Sequence, residues 1–349
     1  MYKQGKYYDG TKLLSLLDVN NKIPEIYMCT SNRSGGKTTF FGRLLVNKFI
    51  KNKEKFGLIY RFNYELSDVA QKFFKELNLL FFQDYEMTYE SKGNGKYCEL
   101  YLNGESCGYA FALNDADQIK RLSHFFSDVS YLLFDEFQSE TNHYCPNEIT
   151  KFISIHQSIA RGGGKQSRRV PVYMLSNQVT ILNPYYAEFN IGSRLNSEVR
   201  FLKGDGWVLE QGYVENASRE LNESAFNRAF SSNKYIGYST GEGVYLNDST
   251  NFVENMSGKS TYLMTLKYNG SFYAIREYTS KGIIYCDENP DLTHWNRISV
   301  TTDDHQINYV MLNRQNFQLQ ELRKLFELGC FRFKNIKCKE VVIKALSYK

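Results

Sequence analysis

The chain has 349 residues, 42% of them apolar and 15% aromatic, with a formal net charge of +5. That composition excludes a disordered chain and suffices for two domains, or for one large core with an appendage. No apolar run approaches the ~20 residues of a membrane helix. The opening Met1-Tyr-Lys-Gln-Gly-Lys-Tyr-Tyr lacks the apolar centre of a signal peptide, so the expectation is a soluble intracellular protein with no membrane partner. Seven cysteines, with no Cys-x-x-Cys pair, read as reduced apolar fillers. The charge is uneven. From Arg314 onward nine Lys and Arg stand against three Glu, a local basic field of the kind that attracts a polyanion.

In chain order, Ile26-Tyr-Met-Cys predicts a buried strand, and Lys37–Ile50 predicts a helix after a Gly-containing turn. The run from Gly57 to Phe62 predicts a second strand. Glu65–Leu77 predicts an amphipathic helix with Leu66, Val69, Ala70, Phe73, Phe74 and Leu77 on one face. Tyr97–Leu102 and Tyr109–Leu113 flank an Asn103-Gly104 turn signal and predict a hairpin. Val129–Phe134 and Val170–Leu175 predict two more buried strands, separated by a helix over Asn147–Ala160. This alternation is that of an α/β protein with a mostly parallel sheet. After about Asp205 the texture changes: residues 204–250 are rich in Gly, Ser and Asn and read as a linker or small subdomain. Two strands around Asn269-Gly270, a third ending at Cys286 and a helix over Leu319–Leu328 complete the chain.

Ser31-Asn32-Arg33-Ser34-Gly35-Gly36-Lys37-Thr38 is a Walker A sequence with Ser in place of the first Gly. A glycine-rich turn lets successive backbone N–H groups face a phosphate, and a helix beginning at Lys37 adds its positive end to the same anion. Lys37 is placed for the β/γ oxygens of ATP, and the Thr38 hydroxyl for Mg²⁺. Tyr131-Leu-Leu-Phe-Asp-Glu is an apolar strand ending in two acids. Asp135 is expected to hold Mg²⁺ through water, and Glu136 to polarise the attacking water. Glu136 favours the hydrolytic, additional-strand branch of P-loop proteins, in which a strand lies between the two Walker strands. Asn177, ending the next strand, is a candidate sensor of the γ-phosphate, or simply an Asn that starts a turn.

Arg161-Gly-Gly-Gly-Lys-Gln-Ser-Arg-Arg is a glycine-rich loop made basic by Arg161, Lys165, Arg168 and Arg169. Arg161 is a candidate finger for a neighbouring subunit's site; the alternatives are a solvated loop or a contact to DNA phosphate. Arg33 either reaches the γ-phosphate in cis or pairs with a nearby carboxylate. Lys120 and Arg121 are weaker candidates for a trans contact.

These residues together resemble the DNA-packaging ATPase of phi-29-type podophages, small relatives of the large terminase subunits. The resemblance rests on Ser31–Thr38 with Arg at its third position, Phe134-Asp-Glu-Phe, Tyr144-Cys-Pro-Asn-Glu, Arg161, and Leu175-Ser-Asn followed by Asn183-Pro-Tyr. It continues through Thr301-Thr-Asp-Asp and Gly329-Cys-Phe-Arg-Phe. It implies a homomeric ring, a pentamer, working in the host cytoplasm and transiently at the portal vertex of a procapsid. There it would move double-stranded DNA, with Arg161 acting in trans and, in some relatives, a packaging RNA bridging motor and portal protein. The family's basic, DNA-facing residue after the second strand is aromatic here, Tyr64.

The expected partition is an additional-strand (ASCE) P-loop ATPase domain at 1–205, a linker or small linker subdomain at 206–250 and a small RNase H-like α/β domain at 251–349. An RNase H-like nuclease needs an acid on its first strand, and Thr261-Tyr-Leu-Met-Thr-Leu-Lys-Tyr-Asn has none. The second domain is therefore expected to lack nuclease activity, with Asp287, Asp291, Asp303 and Asp304 as solvated loop acids and the basic tail as a contact surface. The rival readings are a helicase-like translocase of the same fold and a nucleotide-gated structural or portal-binding module with negligible turnover.

Overall fold

The computed structural model describes residues 7–141, 143–161, 166–181, 183–195, 199–241, 254–313 and 316–347. The chain divides into two compact units, 1–178 with 200–244, and 179–199 with 245–349.

The first unit is built on nine strands: β1 (Ile26–Ser31), β2 (Lys55–Tyr60), β3 (Met87–Lys92), β4 (Tyr97–Leu102), β5 (Glu105–Ala112), β6 (Val129–Asp135), β7 (Val172–Asn177), β8 (Phe201–Gly204) and β9 (Trp207–Gln211). They form one sheet in the order β3-β4-β5-β2-β6-β7-β1-β9-β8. The interior, from β5 to β9, is parallel, and the two edges are antiparallel ribbons. Strands covered on both faces read as continuous apolar runs, which is why β1, β2, β6 and β7 stand out in the sequence. β3 alternates half-buried and exposed side chains at the sheet edge and gives no such signal.

The helices of this unit are α1 (Thr11–Leu14), α2 (Lys37–Asn52), α3 (Glu65–Phe81), α4 (Ala116–Arg121) and α5 (Glu148–Ala160). α6 (Pro184–Glu188) belongs to the second unit, and α7 (Glu215–Glu223), α8 (Ala225–Ala229) and α9 (Lys234–Thr240) return to the first. Phe41, Leu45 and Phe49 of α2 and Leu66, Phe74 and Leu77 of α3 are buried in one cluster with Cys29, Leu58, Leu133 and Tyr173 of the strands. Successive strand residues face opposite ways, so Phe134, next to Leu133, packs on Phe152 of α5 (ring centroids 5.9 Å apart). Both faces of the sheet are thereby covered. β7 lies between β1 and β6, which is the additional-strand arrangement.

Residues 206–250, expected as a linker or small linker subdomain, hold β9 and α7–α9 in their described part, up to Gly241, and this part belongs to the first unit. β9 pairs with β1 from Ile26↔Trp207 to Thr30↔Gln211, so it is a sheet strand rather than a spacer. The composition that suggested a linker comes from short, weakly apolar helices. Conversely, residues 179–199 pack with the second unit although they follow β7 directly.

The second unit holds β10 (Thr261–Tyr268), β11 (Ser271–Tyr278), β12 (Ile283–Asp287), β13 (Arg297–Ser299), β14 (Val310–Met311) and β15 (Phe331–Phe333), with α10 (Phe317–Glu327) and α11 (Ile336–Ser347). The sheet order is β14-β13-β10-β11-β12-β15, with β10, β11 and β12 an antiparallel meander and the other pairs parallel. Phe326, Phe331 and Phe333 of the basic tail are core residues, whereas Phe317 is exposed. Among the described residues of the chain, no helix is long and apolar enough to cross a membrane.

Candidate active site

β1 ends at Ser31 and α2 begins at Lys37, so Asn32–Gly36 must reverse the chain within five residues. Gly36 has φ +89°, a left-handed backbone that glycine adopts without strain. A Cβ on Gly35 would lie 2.9 Å from Val214 Cγ2, so any side chain there would force the segment 212–214 outward. The loop is clasped from outside. The Asn32 amide donates to Val214 O (3.1 Å) and its Oδ1 accepts from Val214 N (2.9 Å). Tyr8 N donates to Gly35 O and Arg33 N to Ser239 O. Ser31, where the motif calls for glycine, is buried, and its hydroxyl accepts from Lys37 Nζ at 2.9 Å while donating to Asn32 O.

Lys37 Nζ also donates to Asn32 O and to Asn177 Oδ1, both at 3.2 Å. Asn177 is opposite Ser31 in the β1–β7 register, which brings the sensor candidate to the cradle. Burial pulls the Lys37 ammonium below its usual pKa, against the attraction of Asp135 and Glu136. The Thr38 hydroxyl donates to Asp135 Oδ2 at 2.8 Å. These hard oxygen donors fit Mg²⁺, with Asp135 reaching the ion directly or through water. Burial raises the pKa of Asp135 in spite of its bonds from Thr38 and Glu136 N. Glu136 is raised by burial first and then by the charges of Asp135 and Glu140. Ser34, Gly35, Lys37, Thr38, Asp135, Glu136 and Asn177 line a common cavity of about 290 Å³. It is open to solvent and polar, as a phosphate site has to be.

Glu140 is the residue that sequence reasoning missed. Its carboxylate accepts from Arg33 Nη2 (2.9 Å), Tyr238 OH (2.8 Å) and Tyr235 OH (3.2 Å), with Asn177 Nδ2 at 3.5 Å. Arg33 also lies over the Tyr235 ring. Of its two readings, the pairing with a carboxylate is the one this structure contains. Glu140 follows the Walker B strand in an irregular segment with no periodic pattern, so nothing marked it out.

Arg161 stands at the C-terminal end of α5 and is exposed. α5 starts at Glu148 and runs 13 residues, about 20 Å, away from the strand ends that carry the cradle. Arg168 donates to Ile159 O, and Arg169 to Pro24 O just before β1, at the opposite end of the sheet. Both side chains are anchored to backbone carbonyls and keep their charge. Lys165 lies outside the described residues. Lys120 and Arg121 are exposed at the end of α4. Tyr64 is exposed and stacks on Phe62, which in turn stacks on His143.

In the second unit, two of the acids expected to be solvated, Asp287 and Asp304, are structural instead. Asp304 is buried and accepts from Asn269 N, Gly270 N and the Thr301 hydroxyl. Asp287 pairs with Arg276 at 2.9 Å, whereas Asp291 is an exposed loop acid that accepts from Thr293 in its own turn. The basic tail is also largely engaged. Arg332 pairs with Glu254, Lys334 with Glu288 and Lys324 with Glu321, while Arg323, Lys339 and Lys344 donate to backbone carbonyls.

A family profile described as podovirus DNA encapsidation protein (Gp16) matches residues 2–348. The DNA packaging protein of Bacillus phage phi29 is 27% identical over 333 residues, covering 94% of this chain and 93% of the relative. That of Bacillus phage B103 is 24% identical over 307 residues, covering 87% and 90%. Among solved structures, a chain of the bacteriophage Phi-29 viral genome packaging motor assembly superposes with a TM-score of 0.60 at 25% identity, covering 99% of this chain and 98% of that one. The Phi-28 gp11 DNA packaging motor gives 0.63 at 17% identity, with 99% of both chains covered, and speaks for the fold alone.

Proposed function

The chain belongs to the podovirus DNA encapsidation protein (Gp16) family and is a DNA-translocating packaging motor, and we propose that ATP hydrolysis at Ser31–Thr38 drives it. The observation that carries this reading is the convergence of Lys37, the Thr38–Asp135 pair, Glu136 and Asn177 on one cavity. No side chain caps the first turn of α2, which leaves its N–H groups for an anion. Lys37 now donates to Ser31, Asn32 and Asn177, oxygens that stand in for those of the β- and γ-phosphates. Mg²⁺, when bound, supplies charge neutralisation on the phosphates. Glu136 orients and deprotonates the attacking water, a task that suits a carboxylate whose proton affinity is raised by burial. Asn177 reads the γ-phosphate while its other amide atom faces Glu140.

Arg161 is a helix length from its own cradle, which supports a finger delivered to a neighbouring subunit and hence a homomeric ring, a pentamer in the phi-29 arrangement. The partners that follow are double-stranded DNA, the portal protein of a procapsid and, where one bridges motor and portal, a packaging RNA. The site of action is the host cytoplasm, at the portal vertex. For the second unit an RNase H-like shell without nuclease chemistry is supported by its strand order: an antiparallel three-strand meander with two further strands added parallel beside the first. The first strand, β10, carries no acid, and Asp287 and Asp304 hold the fold instead.

Mixing wild-type with Arg161→Ala subunits tests the shared site. ATPase activity that falls more steeply than the mutant fraction supports a trans finger, and a linear fall refutes it. Stimulation by blunt duplex DNA is expected; stimulation only by forked duplexes, with unwinding, would point to the helicase-like alternative.

A further inference from the structure

Thr38, Asp135 and Glu136 also line a second cavity, again of about 290 Å³. The two cavities lie on opposite sides of β6. The first is completed by Ser176 and Asn177 of β7, the second by Leu58–Tyr60 of β2, and the strand order runs β2-β6-β7. Phe73 of α3 forms part of the second cavity's wall. Gly42 of α2 lets that ring come close, because a Cβ there would stand 2.9 Å from it. Leu58, Phe73 and Leu133 make the wall largely apolar between the acids and solvent.

Two groups interrupt that wall. Tyr60 is only 7% exposed, yet its hydroxyl has no hydrogen-bond partner among the described residues, an uncommon state for a buried polar group. Burial, and then the charges of Asp135 and Glu65, push the phenol pKa up, so the group is a proton donor near neutral pH. Lys72 of α3 lines the same cavity from an exposed position and enters no ion pair among the described residues, although Glu76 is one turn away. A donor inside and a cation at the mouth suit a small oxyanion. Glu76 beside the cation keeps that hold weak, as a passage requires.

Hydrolysis makes such an anion at the residues that the two cavities share. The bond from the γ-phosphorus to the ADP oxygen breaks, the water oxygen bonds to that phosphorus, and Glu136 takes the water's proton. The acid at the divide is therefore neutral when orthophosphate forms. ADP still fills the cavity that Ser34–Lys37 line, so the β2 side is the one left open to the anion. We infer that the second cavity is the exit for orthophosphate, with Tyr60 and then Lys72 taking the anion while ADP is in place. The inference rests on the reading of Ser31–Thr38 as a hydrolytic site. Neither Tyr60 nor Lys72 lines the nucleotide cavity, so their effect falls on product release and leaves nucleotide binding and bond cleavage intact.

The test uses the full-length chain with Tyr60→Phe, Lys72→Gln and the double variant. Quench-flow reads the phosphate formed in a single turnover, and a fluorescent phosphate-binding protein in a stopped flow reads the phosphate released. Tyr60→Phe removes only an unpartnered hydroxyl and Lys72→Gln an exposed charge, so both are expected to melt at or above the wild-type temperature. In each single variant, formation should stay within about twofold of wild type while release slows about fivefold, the equivalent of one lost hydrogen bond. The double variant should lag further. Release that keeps pace with formation in the double variant overturns the inference. So does a formation rate that falls as far as release, which would make the cavity a supplier of water. A wild-type chain that forms no phosphate from ATP would instead refute the hydrolytic reading itself, a result distinct from both.

Discussion

Replacing Asn32 by alanine isolates the clasp on the cradle. The side chain is 1% exposed and makes a reciprocal pair of hydrogen bonds with Val214, which is fully buried. Val214 O keeps a second donor, Ser218 N at 3.2 Å, but Val214 N loses its partner. A buried N–H left unsatisfied costs about 1–3 kcal/mol and a lost neutral bond about 1 kcal/mol more, so the expected destabilisation is about 2–4 kcal/mol. Urea unfolding can read this in a Trp295→Phe background, where Trp207 is the remaining tryptophan and opens β9, six residues before Tyr213. Trp295 is exposed in the second unit, so its removal leaves a signal from the first alone. A shift below about 0.5 kcal/mol, the range of ordinary surface substitutions, would refute the idea that the loop is held from outside. If the clasp matters to the site, nucleotide affinity falls together with stability, and saturating ATP analogue recovers part of the loss.

Glu136→Gln should lower ATP turnover by about 10²–10⁴-fold and retain nucleotide binding, as expected for loss of a general base; stopped-flow phosphate release checks this. Thr38→Ala should raise the Mg²⁺ concentration for half-maximal hydrolysis by on the order of tenfold or more, read from a metal titration after chelation. In the second unit, burial pushes the Asp304 carboxyl up, but bonds from Thr301, Gly270 N and Asn269 N outweigh it and hold the pKa below the ordinary value. A carboxyl depressed in the folded state stabilises fully above its unfolded pKa, about 3.9, and loses that contribution as pH falls through the folded value. Acid unfolding of the second unit below about pH 4 should therefore be blunted in Asp304→Asn, whose neutral-pH stability is lower by about 1–3 kcal/mol. An acid profile unchanged by the substitution would refute that role.

Much of the site was legible because its chemistry is local in sequence. Ser31–Thr38 and Asp135-Glu136 each sit at the end of a strand whose two buried faces leave an unbroken apolar run. What holds the site was not legible, because the contacts are distant: Asn32 meets Val214 across 182 positions and Glu140 meets Tyr238 across 98. β9 and α7–α9 were hidden by composition. α7 is amphipathic yet buries little beyond Ala217 and Ser218, too small a stripe to register as periodicity. α11 was masked differently. Its lysines suggested a basic contact surface, but Val341, Val342, Ile343, Ala345 and Leu346 are buried between them. Lys339 and Lys344 reach backbone carbonyls, as long stems allow.

The place of β9 beside β1 has a consequence for synthesis. A chain emerging from the ribosome exposes its entire Walker A motif by residue 38, but the strand that flanks β1 and the carbonyl that clasps Asn32 arrive only after residue 207. Between them the nascent chain must also lay down 179–199, a segment whose packing partners follow still later. The cradle is thus a late product of translation. Fragments ending near residue 205 would keep every signature residue and leave β1 as a bare sheet edge. Truncation at 241 would close the sheet but carry an orphaned 179–199 excursion.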